Sequence, residues 1–295
     1  MMELGAYLHD KRIIVENSLR DIFASFKNTP GILRDAMEYM LFSNGKRIRP
    51  ILAIAACEAN KKPSDDLLPL ACSIEMIHTY SLIHDDLPSI DNDDIRRGRP
   101  TCHKVFGDAV AILAGDALLT EAFRILSDNR YTENISPKTL KKIIFEIALA
   151  AGADGMVGGQ VMDVLYDGKE GTKNILNYIH MHKTTALIKA SVRIGAIAGG
   201  SKASELKRFT KYAECIGLAF QIMDDILDAE GDEELVGKRL KKDTGKQTYI
   251  KHYGIVASKI KLEQLIDEAV NSLEFLGDRA TILSDLARYL GNRTT

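Results

Sequence analysis

Two groups of aspartates carry most of the chemistry this chain can do: Asp85 and Asp86 with Asp91, and Asp224 and Asp225 with Asp228. Each interrupts an otherwise apolar run, where an unanswered carboxylate costs several kcal/mol or stays protonated. Gln221, Asp224, Asp225 and Asp228 follow an i, i+3, i+4, i+7 spacing, which lines one face of a helix. Leu70 to Leu87 reads as a second helix with a polar line at His78, Ser81 and Asp85, closed by Pro88. That leaves Asp85 and Asp86 at a helix C-terminus, where the macrodipole disfavours each carboxylate by roughly 0.3–1 kcal/mol. Asp91, Asp93 and Asp94 follow in a loop able to fold back on the pair. Hard oxygen donors without a cysteine or spaced histidine pair suit Mg²⁺, above all when substrate phosphates complete its octahedron. Taken singly, the loop also reads as a solvated acidic segment and the stripe as a polar helix face. Two groups of one kind favour a facing pair.

Basic residues are concentrated in a few places. Gly45-Lys46-Arg47-Ile48-Arg49-Pro50 sets Lys46 and Arg49 just before a helix start, a position suited to phosphate. Arg96-Arg97-Gly98-Arg99 follows the first acidic group in the same loop, and Lys183-Thr184, Lys238, Lys241, Lys242 and Lys246 add further donors. Each alone would equally suit a solvated surface. Phosphate-loop, dinucleotide, zinc-protease and nucleophile-elbow motifs are all missing. Acids on two walls, cations at the rim and apolar helices below describe a site for a diphosphate bearing a hydrocarbon tail.

The elements that must position these groups are helical. Apolar residues recur at three- and four-residue spacing, as in Ile216, Ala219, Phe220, Met223 and Leu227, and alternating β-branched runs are hard to find. The fold class is all-α, with roughly ten helices between breakers such as Thr29-Pro30-Gly31, the stretch from Pro88 to Pro100, and Gly231 to Gly245. Ser64-Asp65-Asp66 and Ser201 to Glu205 have the look of N-terminal caps. No linker or repeat divides the 295 residues, so a single domain over 1–295 is expected. A net charge of −2 argues against nucleic-acid binding. No apolar run reaches the ~18 residues that span a bilayer, and Cys57, Cys72, Cys102 and Cys215 form no C-x-x-C pair. A cytoplasmic location without membrane insertion follows.

Several stretches resemble the trans-isoprenyl diphosphate synthase family: residues 45–50, the block from His78 through Asp85-Asp86-Leu87-Pro88 to Arg96-Arg97-Gly98, Gly115-Asp116-Ala117-Leu118, Gly155 to Gln160, His182-Lys183-Thr184, and Phe220 to Asp228. The resemblance implies an all-α bundle around a deep cavity, a homodimer, and three Mg²⁺ ions bridging aspartates to an allylic diphosphate. It makes Asp85, Asp91 and Asp224 the main metal ligands, with Asp86 and Asp228 in support. Gly45, Lys46, Arg49, His78 and Arg97 would hold isopentenyl diphosphate, while Arg96, Lys183 and Lys238 would grip the allylic diphosphate. Thr184 and Gln221 would face the cation formed when that diphosphate leaves. Isopentenyl diphosphate would then attack, and the departed diphosphate would take the proton. Tyr80, about 7.5 Å down the helix from Asp85 by its rise, with Ser81 beside it, is the expected floor that limits product length. An aromatic there implies farnesyl diphosphate. Geranylgeranyl diphosphate synthesis, a class I terpene cyclase and a non-catalytic prenyl-diphosphate-binding subunit are the competing readings. The stretch from Lys238 to Lys246 is shorter than the family pattern and Ile250 stands where proline is common, which leaves Lys246 without an assigned role.

Overall fold

The computed structural model describes residues 3–230 and 245–291. The described residues are all-α apart from one short hairpin. Backbone contacts divide the chain into two compact units, one of Met1–Ile54 and Pro63–Ile144, the other of Ala55–Lys62 and Phe145–Thr295.

The first unit contains α1 (Leu4–Ala24), α2 (Gly31–Leu41), the first part of α3 (Ile48–Glu58), α4 (Leu68–Asp85), α5 (Cys102–Phe106), α6 (Asp108–Ser127), α7 (Asn129–Thr132) and the start of α8 (Pro137–Ala151). α4 packs on α1, α2 and α6 and is buried on every side, with each residue from Leu70 to Ile77 inaccessible. A helix apolar around its whole circumference has to lie inside, and this sets Asp85 and Asp86 at the end of the unit's central rod. α4 starts at Leu68 with Pro69 in its first turn, and its N-cap residue is Leu67, one position beyond the expected Ser64-Asp65-Asp66. Proline suits that turn because its missing N–H needs no acceptor, and the carbonyls of Ser64 and Asp65 take the Leu67 and Leu68 amides.

Strands play almost no part among the described residues, as expected: β1 (Ile95–Arg96) pairs antiparallel with β2 (Arg99–Pro100), two residues each. The turn residues Arg97 (φ 55°) and Gly98 (φ 75°) are both left-handed, the geometry of a type I′ hairpin. Two-residue strands are too short to show alternation in sequence.

The second unit contains α9 (Met156–Leu165), α10 (Lys173–Ile179), a π-helical turn (His180–Thr185), α11 (Ala186–Ala198), α12 (Ala203–Glu230), α13 (Tyr249–Tyr253), α14 (Ile255–Ser272), a 3₁₀ segment (Glu274–Ala280) and α15 (Thr281–Gly291). α12 is its axis, in contact with α11, the π turn, α13, α14 and α15. At its start Glu205 Oε2 accepts the Lys202 amide at 2.6 Å, the entry turn expected there. Two glycines let neighbours approach the π turn. A Cβ on Gly159 would lie 2.1 Å from Lys183 N, and one on Gly217 would lie 2.6 Å from Thr185 Cγ2. The four cysteines are buried and form no disulfide. Among the described residues no helix is long and apolar enough to cross a membrane.

Candidate active site

In the first unit the loop after α4 folds back on the helix end. The amides of Asp91 and Asp93 donate to the carbonyls of Asp85 (2.9 Å) and Asp86 (3.2 Å), and Asn92 donates to Leu87 (3.1 Å). These bonds satisfy carbonyls that a helix C-terminus otherwise leaves open. The two adjacent aspartates then diverge. Asp85 is half-buried, as is Asp91, whereas Asp86 is 0% exposed. Asp86 Oδ1 accepts Arg96 Nε at 2.9 Å and also Arg96 Nη2, while Oδ2 is buried without a hydrogen-bond partner. Burial pushes the Asp86 carboxyl upward and Arg96 opposes it. Arg96 also reaches Asp93 Oδ2 at 3.1 Å.

The basic set lies in the same unit. Arg47, unassigned in the sequence, is 1% exposed and holds a left-handed backbone (φ 52°). It bonds Glu16 Oε1 of α1 (2.6 Å), Glu75 Oε1 of α4 (2.8 Å) and the Leu41 carbonyl at the end of α2 (2.7 Å). Its flanks are Lys46, exposed, and Arg49, half-buried. Arg97 Nη1 donates to Ser43 Oγ at 3.1 Å and Nη2 stands 4.0 Å from Glu75. Gly45 is where both guanidiniums pass, since a Cβ there would fall 2.8 Å from Arg47 Nη1 and 3.1 Å from Arg97 Nη1. His78 is held well below the usual imidazole range, first by burial and then by Arg49, Arg97, Arg47 and Arg96. It is therefore a neutral ring in a cationic surround, one that favours an incoming anion.

Tyr80 is 6% exposed and meets His84 edge-on at 5.6 Å. Burial, then Asp85, pushes its phenol up to about 12. Ser81 Oγ donates to the His78 carbonyl (2.9 Å). His84 lies against α6, its Nε2 3.0 Å from the Ile112 carbonyl oxygen, because Gly115 has no Cβ to block it.

In the second unit the wider π turn delivers two consecutive side chains to different helices. Lys183 Nζ donates to Asp163 Oδ2 of α9 at 2.7 Å, and Thr184 Oγ1 donates to Gln221 Oε1 of α12 at 2.8 Å. Gln221 Nε2 donates in turn to Asp225 Oδ1 (3.1 Å), whose Oδ2 accepts the Tyr249 amide (2.7 Å). The stripe read from the sequence is graded: Gln221 and Asp224 are half-buried, whereas Asp225 and Asp228 are buried. Lys246 donates to Asp163 Oδ2 at 3.2 Å. Lys238, Lys241 and Lys242 lie outside the described residues.

Sequence reading passed over Arg47, Glu75, Asp163 and His180. Asp163 carried the same signal as the two acidic groups, an aspartate inside an apolar run (Val161, Met162, Val164, Leu165). Among the described residues no group of three or more His, Cys, Asp or Glu closes around an ion position. The half-buried carboxylates of Asp85 and Asp91 in the first unit, and that of Asp224 in the second, nevertheless each suit Mg²⁺, which binds through one or two carboxylates and keeps the other positions for water and substrate phosphate.

The sequence profile of the polyprenyl synthetase family matches residues 30–275. The chain is 46% identical to farnesyl diphosphate synthase of Geobacillus stearothermophilus, covering 92% of each protein. It is 43% identical to geranylgeranyl diphosphate synthase of Cyanophora paradoxa, covering 98% of this chain and 96% of that one. Among solved structures, a geranyltransferase of Legionella pneumophila superposes with a TM-score of 0.88 at 32% identity, covering 99% of this chain and 98% of that one.

Proposed function

The chain belongs to the polyprenyl synthetase family, and on that premise we propose that it is a short-chain trans-prenyltransferase that condenses isopentenyl diphosphate with dimethylallyl and geranyl diphosphates to give farnesyl diphosphate. The observation that carries this reading is the arginine set around neutral His78, in the same unit as Asp85 and Asp91. An enzyme that only ionises one prenyl diphosphate has no use for a second diphosphate site.

Lys46, Arg49 and Arg97, with Gly45 leaving room, hold isopentenyl diphosphate beside His78. Lys183 would grip the allylic diphosphate, and Lys246 joins it through the carboxylate the two share in the second unit; Arg96, in the first unit, and Lys238, outside the described residues, are assigned to the same diphosphate on the family resemblance alone. Asp85 and Asp91, with Asp86, are the residues of the first unit that would hold Mg²⁺, and Asp224, with Asp228, those of the second; the ion would supply Lewis-acid charge to the leaving diphosphate. The allylic C–O bond breaks with both electrons leaving on diphosphate. The isopentenyl double bond then forms the new C–C bond, and the diphosphate takes the proton whose loss restores an alkene. Gln221 is held by Thr184 on one side and Asp225 on the other, so its amide is already oriented when positive charge develops. Apolar walls exclude water that would quench the cation.

Buried Tyr80 below Asp85 supports farnesyl over geranylgeranyl diphosphate as product. We further propose that residues 1–295 act as one catalytic domain in a cytoplasmic homodimer, a state supported by large apolar side chains left exposed, such as Phe145 at 62% and Leu113 at 57%. Incubation with Mg²⁺, isopentenyl diphosphate and each allylic diphosphate, followed by chain-length analysis, tests the reading. Farnesyl diphosphate is expected, and no condensation with any starter refutes the proposal.

A further inference from the structure

We infer that Asp163 is a positioning residue whose single carboxylate holds the ammonium groups of Lys183 and Lys246 together, setting two cations in place for one allylic diphosphate. The inference rests on the reading above that Lys183 grips that diphosphate. Asp163 is 6% exposed in α9, and its Oδ2 accepts from Lys183 at 2.7 Å and from Lys246 at 3.2 Å. Burial alone would raise its pKa, but the two lysines outweigh burial and hold it below the usual carboxylate value. The lysines come from separate elements. Lys183 arrives on the π turn, where Gly159 lets α9 touch the Lys183 amide.

Lys246 is brought in by anchoring of its own neighbours at the end of α9. Gly245 accepts the Gly168 amide at 2.9 Å, and Gln247 Nε2 donates to the carbonyls of Tyr166 (3.1 Å) and Lys169 (2.8 Å). Two like charges brought to one place repel, and the carboxylate removes that repulsion until a diphosphate supplies its own negative charge. Asp163 thus acts through its two partners and needs no contact with substrate.

Asp163→Asn keeps the shape and removes the charge, and steady-state kinetics with geranyl diphosphate and isopentenyl diphosphate reads the effect. The expected result is a rise of about tenfold in KM for geranyl diphosphate, with KM for isopentenyl diphosphate changed by less than about twofold. In a Lys246→Met background the same substitution should cost only about threefold, because the repulsion is gone. A merely structural role would raise both KM values together and add independently of Lys246. Either of those results, or no change, overturns the inference. Calorimetric binding of inorganic pyrophosphate with Mg²⁺ reads the same ammonium pair without turnover, so a wild-type protein that fails to condense its substrates would sink the functional reading while this measurement still judges Asp163. Should Asp163→Asn not fold, Asp163→Glu displaces the charge by one methylene; a selective rise in KM for geranyl diphosphate supports the inference, and an equal rise for both substrates overturns it.

Discussion

Asp85 and Asp86 are chain neighbours buried to different depths, the first half-buried and the second fully, and they should fail differently when changed. Asp85→Asn is expected to lower kcat by about 10²–10³ with an unchanged melting temperature, because in the proposed mechanism it removes charge directed at the reacting diphosphate. Asp86→Asn leaves Arg96 short of its buried partner and is expected to cost about 2 kcal/mol in denaturant unfolding. Equal loss of stability in the two variants would contradict this division. Tyr80→Ala should open the space below Asp85 and move the product from farnesyl towards geranylgeranyl diphosphate, and an unchanged product would remove Tyr80 from the floor. His180 makes a pH prediction. Burial pushes its imidazole from 6.5 down to about 3, so between those values an unfolded chain binds a proton that the folded one refuses. Its contribution is intact above pH 6.5 and declines by about 1.4 kcal/mol per pH unit as pH falls through that window. His180→Gln should flatten the stability curve of the wild type by one proton, measured by denaturant titrations at several pH values.

Helix-sized features turn on close approach of backbones. The Gly159 contact with the π turn leaves no room for a methyl group. Gly159→Ala should therefore cost about 2–3 kcal/mol through overpacking against backbone and should raise KM for the allylic diphosphate by displacing Lys183; a variant as stable and as active as the wild type would show that the turn can shift freely. Helices α4 and α12 were legible from their 3.6-residue period, to within two residues at each observed end of α4. The π turn was not, because His180-Met181-His182-Lys183-Thr184-Thr185 contains nothing that an α-helix would refuse. Nor was the hairpin, where Arg97 adopts a left-handed backbone that only its surroundings stabilise.

For the molecule as a whole the test is the metal. Excess chelator should abolish condensation and added Mg²⁺ should restore it, while far-ultraviolet circular dichroism stays constant, since the cores of both units are built from apolar helix faces. Activity that survives chelation would remove divalent ions from the mechanism. Relatives that make farnesyl and geranylgeranyl diphosphate match this chain almost equally well. Overall likeness thus gives the reaction, and product length has to be decided at a few side chains such as Tyr80.

Helical class, the inventory of carboxylates and cations, and family membership were all written in the linear chain, because period, residue type and motif spacing are local properties. Which aspartate stays half-buried and which is sealed against an arginine, that Arg47 ties three helices together while Lys46 beside it stays exposed, and that Asp163 gathers two lysines from distant segments were settled only by folding. Desolvation and charge pairing depend on which remote element comes within about 3 Å, and no window of sequence contains that distance.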